Sequence, residues 1–229
     1  MRGIVLVCGT NVPQLPGVDA DRVVRVPHRP GKSDVDVMLA KAGTGAAGDG
    51  WNPGADVIVA GEDADLAAVV LRLLRRDRLG STSVGYLPTR RGSAFAELWQ
   101  LPVEPAAALQ LAGGGKVDPV PLIRDDVGGV LLGLGSIHRV TGIAYCDDEV
   151  VLRGKAHRID VQPDTAGGAG LTVRVQHGRL RKQIVSHRGR AFSLGCDLAS
   201  PVLDGVGRER PTERWTWYRH TEDLRLVRA

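Results

Sequence analysis

The residues best placed to do chemistry fall in two short loops. Residues 57–70 read VIVAGEDADLAAVV, which puts Gly61, Glu62, Asp63 and Asp65 where a β-like apolar run gives way to a helical pattern. A glycine there frees the backbone, and a helix N-terminus attracts an anion. The carboxylates work against an anion. Asp63 suits either orienting a magnesium ion or capping the helix that the pattern starts at Asp65. Residues 86–96 read YLPTRRGSAFA and carry Arg90, Arg91, Gly92 and Ser93. The two guanidinium groups suit phosphate, or they pair with Glu62 or Asp65 across the loops. Ser93 is placed to cap a short helix through Leu98. Far along the chain, Asp204–Gly205 in LDGV reads as a tight turn between strands.

Other constellations carry less. Asp147, Asp148 and Glu149 form an acidic triplet that fits a solvated hairpin turn better than a cation site, which needs oxygens converging from several points. The six histidines show no metal-ligand spacing, and no metal site is expected. Cys8, Cys146 and Cys196 are far apart and read as reduced, buried thiols. The run 177–190 (HGRLRKQIVSHRGR) is the most basic stretch. It suits either an anionic surface or a solvated hairpin. It has no interleaved aromatic residues, so nucleic acid is not the expected partner. Trp215 and Trp217 alternate in RWTWY and share one face of a strand, as core or as a lipid contact.

Alternating strands and helices must hold the two loops. Strands are expected at 4–8, 22–26, 56–60 and 84–87, and helices at 34–42, 65–76, 94–98 and 106–112. Helix 65–76 has the clearest stripe, with Leu66, Val69, Val70, Leu73 and Leu74 on one side. The polar stretch 11–16 and the Gly-rich segment 43–54 read as loops. Strand, loop and helix in succession imply an α/β layer with a mainly parallel sheet. After Lys116 only short β-like runs appear, separated by turn residues, which implies an all-β antiparallel sandwich or curled sheet. The expected division is an α/β domain over 1–114 and a β-sandwich domain over 115–229.

Composition sets the outer bounds. The 229 residues are 43% hydrophobic and 24% charged, which excludes a disordered chain. No apolar run approaches the ~20 residues of a membrane helix. The first residues, MRGIVLVCGT, read as a strand rather than a signal peptide, and a cytoplasmic setting is expected. Thirty Lys and Arg against 26 Asp and Glu give +4, which admits phosphate or acidic partners.

The two loops and the LDGV turn, in this order, resemble the diacylglycerol kinase and NAD kinase superfamily. There a strand runs into a GGDGT loop and a helix. Gly61, Asp63 and Leu66 match that pattern, whereas Glu62, Ala64 and Asp65 depart from it. A P-x-GTGNDFA segment follows in diacylglycerol kinases. Pro88, Gly92, Phe95 and Ala96 match it, whereas Arg90, Arg91, Ser93 and Ala94 replace glycine, threonine, asparagine and aspartate. Asp204 and Gly205 match a DGE segment of the lipid kinases, with Val206 in place of the glutamate.

The resemblance implies an ATP- and Mg2+-dependent lipid kinase, with ATP bound at Gly61, Glu62, Asp63, Asp65, Arg90, Arg91, Gly92 and Ser93. It implies that Asp204 is the base for a lipid hydroxyl. The departures argue for a weak or inactive relative that keeps an interdomain cleft for a nucleotide, lipid or other ligand. At ~4 Å and an effective dielectric near 20, each carboxylate–phosphate pair costs about 4 kcal/mol before screening. A quarter of that is already roughly fivefold to tenfold in affinity. The active kinase is the alternative, and an anionic-surface binding module is a third reading. A lipid or an anionic membrane, contacted peripherally, is the expected partner, and a free edge strand would suit a homodimer.

Overall fold

The structure is a computed structural model and describes residues 3–10, 15–41, 54–178 and 183–229. Residues 11–14 of the first polar loop, the Gly-rich segment up to Pro53 and residues 179–182 of the basic run lie outside the described residues. The chain divides into two compact units, Met1–Val120 with Glu222–Ala229, and Pro121–Thr221.

The first unit runs β1 (Ile4–Cys8), β2 (Val23–Val26), α1 (Lys32–Lys41), β3 (Val57–Gly61), α2 (Asp63–Arg75), β4 (Val84–Pro88), α3 (Ala94–Leu98), α4 (Pro105–Gly114) and β5 (Lys116–Val120). Strands β3 and β4 are buried at every residue, as are four of the five in β1. Such strands belong in a parallel sheet covered on both faces, which their unbroken apolar runs predict. The sheet order is β2-β1-β3-β4, then the strand Leu224–Arg228 at the end of the chain, then β5. All neighbours are parallel except that last strand and β5. Leu66, Val69, Val70 and Leu73 of α2 are fully buried. α4 starts on Pro105, with the Glu104 carboxylate accepting from the N–H groups of Ala106 and Ala107 at 3.0 and 2.7 Å.

The second unit contains β6 (Ile123–Asp125), β7 (Val130–Leu131), β8 (Gly135–Cys146), β9 (Glu149–Pro163), β10 (Leu171–Gln176), β11 (Ile184–Gly189), β12 (Ala191–Ala199), β13 (Val202–Leu203), β14 (Val206–Gly207) and β15 (Thr212–Arg219). They form one antiparallel sheet in the order β11-β10-β9-β8-β12-β15-β6-β7, with β13 on β8 and β14 on β13. Inward residues alternate along each strand, as Leu171, Val173 and Val175 do on β10. These share one core cluster with Ile123 and Leu131 from the opposite end of the sheet. A flat sheet cannot bring both ends to one core, so this sheet curls. Trp215 and Trp217 are core residues, with ring centroids 5.7 Å apart, and Trp217 also packs on Phe192. Among the described residues no helix is long and apolar enough to cross a membrane.

Strand β16 (Leu224–Arg228), read from sequence as the end of the β-rich half, instead lies between β4 and β5 in the first unit's sheet. The first β-like run after Lys116, residues 117–123, is split, its start forming β5 and its end β6 in the other sheet.

Candidate functional site

In the first unit the strand order reverses between β1 and β3. The carboxyl ends of the parallel strands at such a reversal are where α/β sheets take ligands. Three connections meet there: Gly9 after β1, His28–Arg29 between β2 and α1, and Gly61–Asp65 between β3 and α2. Gly9 has φ +79°, and a Cβ on it would lie 2.2 Å from the His28 ring. The histidine is therefore packed down on a glycine that only a glycine can replace.

Asp65 is the centre of this region. It is 1% exposed. Its Oδ2 accepts from the Glu62 N–H at 2.7 Å, and its Oδ1 accepts from the Arg29 N–H at 2.6 Å. The Nδ1 of His28 lies 3.4 Å from Oδ2. The first bond is half of a capping box, so α2 starts two residues earlier than its apolar stripe predicts, at Asp63 with Glu62 as N-cap. The second holds Arg29 at φ +50°, a conformation that costs a non-glycine residue energy. A Cβ on Gly61 would meet Asp65 Oδ2 at 2.6 Å. The carboxylate thus lies over the bare backbone of Gly61. Burial, with the Asp65 charge adding to it, pushes the nearby Cys8 thiol up to about 12.

Asp63 faces the other way. Its Oδ1 accepts from Tyr86 Oη at 2.8 Å and from Ser93 Oγ at 2.5 Å, and its Oδ2 accepts from the Phe95 N–H at 3.2 Å. Ser93 Oγ also accepts from the Ala96 N–H at 2.9 Å, as the expected cap of α3. The Tyr86 hydroxyl donates as well toward the Gly61 carbonyl at 3.1 Å. Burial, then the Asp63 charge, drives the Tyr86 hydroxyl far above its ordinary pKa. Asp63 therefore ties the two loops together, and its carboxylate faces the start of α3 rather than that of its own helix.

The outer rim is solvated. Arg90 lies 3.9 Å from Glu62, with side chains 75% and 44% exposed. This is the cross-loop pair expected from sequence, in its loosest form, and such pairs contribute little. Asp65 has taken backbone N–H groups and His28 in place of an arginine. Arg91 and Gly92 are exposed, Gly92 at φ +81°. His28, Arg29 and Tyr86 were not anticipated as part of this region. Nothing local pairs Arg29 with a carboxylate 36 residues away.

Asp204 belongs to the second unit. With Gly205 it forms a two-residue hairpin turn between β13 and β14, both residues at positive φ, +47° and +86°. Its carboxylate is 6% exposed and accepts from the N–H groups of Leu132, Gly133 and Leu134 at 2.9, 2.7 and 3.1 Å. Three of its roughly four lone-pair sites are thereby filled by backbone.

Among the described residues no group of three His, Cys, Asp or Glu side chains could hold a metal ion. The donor set also does not fit a triphosphate. Asp63 and Asp65 each already face three internal partners, and Asp65 covers Gly61. Glu62 adds a third carboxylate to the rim.

The fold can be placed among known ones. No protein-family model matches the sequence, and neither does any curated protein. Solved structures do. A diacylglycerol kinase from Bacillus anthracis strain Sterne matches with a TM-score of 0.67 at 12% identity, over 100% of this chain and 97% of that one. An NAD kinase from Archaeoglobus fulgidus, solved in complex with ATP, matches with a TM-score of 0.53 at 11% identity, over 98% and 93%. The chain shares the fold of these two structures, with the higher TM-score to the diacylglycerol kinase.

Proposed function

We propose that this chain is a diacylglycerol-kinase-fold protein that does not transfer phosphate from ATP. Its own carboxylates occupy the place that a nucleotide phosphate would take. The buried Asp65 carries this reading: its carboxylate spans the β2–α1 and β3–α2 connections and lies over Gly61. The helix N-terminus that would attract an anion is already faced by Glu62 and Asp65. Asp204 supports it, because a carboxylate holding three backbone N–H groups has little capacity left to take a proton from a lipid hydroxyl. The protein then acts by binding a lipid or another ligand.

The active lipid kinase is the second reading. Exposed Arg90 and Arg91 favour it, since they retain donors for phosphate. Incubation with diacylglycerol vesicles, magnesium and γ-labelled ATP separates the two. The proposal expects no labelled lipid above a no-protein control. Labelled phosphatidic acid that disappears in Asp204→Asn would establish the kinase.

A further inference from the structure

Strand β11 is an edge that the fold leaves open. The terminal strands of the two sheets are β2, β5, β7 and β11. Three of them are blunted. β7 has two residues, β5 carries Lys116 and Pro119, and β2 has one exposed residue, Arg25, among half-buried valines. β11 has no proline, and its Ile184 and Val185 are 52% and 37% exposed. The phase of its ladder says which backbone groups are free. The His177 N–H donates to the Gln183 carbonyl at 2.9 Å, so these two residues form a hydrogen-bonded pair. Along an antiparallel ladder such pairs alternate with unbonded ones. Val185, His187 and Gly189 therefore bond to β10, where Val175, Val173 and Leu171 lie opposite. Ile184, Ser186 and Arg188 turn their N–H and C=O groups to the open side, where no described strand pairs. The open ladder stops at Gly189, because the Asp147 carboxylate accepts from the Arg190 N–H at 3.0 Å.

We propose that β11 pairs antiparallel with β11 of a second copy of this chain, about a twofold axis at Ser186. The edge is complementary to its own reverse, and this selects the occupant. In that register Ser186 faces Ser186, Ile184 faces Arg188, and Val185 faces His187. Each open residue then exchanges both of its backbone bonds with the second copy. No cation meets a cation, because the two Arg188 residues lie roughly 14 Å apart along the strands. Neighbouring registers do worse. An axis at His187 would oppose Ile184 to Arg190, whose N–H is already taken. An axis at Val185 would leave Arg188 with no β11 residue opposite. The contact uses the same patch on both copies, so it closes as a dimer and does not propagate. So short a ladder buries less than the ~1,600 Å² of a standard interface, and a dissociation constant on the order of 100 μM is expected. The inference does not depend on whether ATP binds.

Sedimentation of the full chain from about 5 to about 500 μM tests it, with residue-resolved amide exchange at both ends of that range. Monomer is expected at the low end and dimer at the high end. Exchange at Ile184, Ser186 and Arg188 should slow as concentration rises, while Val185 and His187 stay protected throughout. Ser186→Pro removes the central outward N–H, leaves the bonds to β10 in place and should abolish the dimer. An unchanged melting curve would show that this variant folds. Substitutions at the exposed Ile184 decide the matter if it does not. Ile184→Lys should weaken the dimer about tenfold, because it opposes Arg188 of the second copy, and Ile184→Glu should tighten it. A monomer at every concentration would overturn the proposal. So would a dimer of unchanged affinity in a folded Ser186→Pro, amide protection indifferent to concentration, or equal losses from Lys and Glu at position 184.

Discussion

Asp65 and Asp204 set the chemistry at the scale of single residues, and each is engaged by backbone donors. Truncating such a group strands those donors. Asp65→Ala and Asp204→Ala should each destabilise by about 1–3 kcal/mol. Urea denaturation of each variant checks this, and a loss near zero would mean that the carboxylate is free for another task. The buried thiol and phenol beside the site give a pH dependence. The folded pKa of Cys8 lies near 12, above its ordinary 9.0. That of Tyr86 is also raised. For a folded value above the unfolded one, the contribution is complete below the unfolded pKa and is lost as pH rises through the folded one. Stability should therefore fall between pH 9 and 12, as melts across that range would show. At pH 8 the Cys8 thiol should resist a disulfide reagent until the chain is unfolded. Rapid reaction of all three cysteines in the native protein would contradict its burial.

Among elements, the junction between β3 and α2 depends on one side chain folding back on one glycine. Gly61→Ala puts a Cβ 2.6 Å from Asp65 Oδ2 and should cost about 1–3 kcal/mol. Repeated in an Asp65→Ser background, the same change should cost less, by at least about 0.5 kcal/mol. Additive losses would show that the two residues do not meet. This junction also marks the limit of what the sequence discloses. The apolar stripe from Leu66 to Leu73 placed the helix, and the run 57–60 placed the strand, because burial leaves a local period. The helix start was read two residues late because Glu62 is not a usual N-cap. The bond that decides it runs from Asp65 to the residue before its own helix. The contacts of Asp65 with Arg29, and of Asp63 with Tyr86 and Ser93, join positions 23 to 36 residues apart, and no local pattern encodes them. The ion pair of Arg90 with Glu62 was legible because opposite charges entered two loops together.

For the whole molecule, the chain returns at its end to complete the first unit. Leu224, Leu226 and Val227 are buried between β4 and β5. Removing residues 222–229 should strip hydrogen-exchange protection from β4 and β5. Unchanged protection there would show that the strand is dispensable. Its sequence is an ordinary strand, and only long-range pairing assigns it to the parallel sheet. The likeness to a diacylglycerol kinase at 12% identity shows that this fold survives wide sequence change. What this chain does with the fold turns on whether nucleotide enters. The most direct test is calorimetric titration with magnesium-ATP of the unaltered protein and of the double variant Glu62→Gly with Asp65→Thr. We expect no heat of binding from the unaltered protein and measurable binding from a folded double variant. Micromolar binding by the unaltered protein would contradict the claim that its own carboxylates fill the phosphate position.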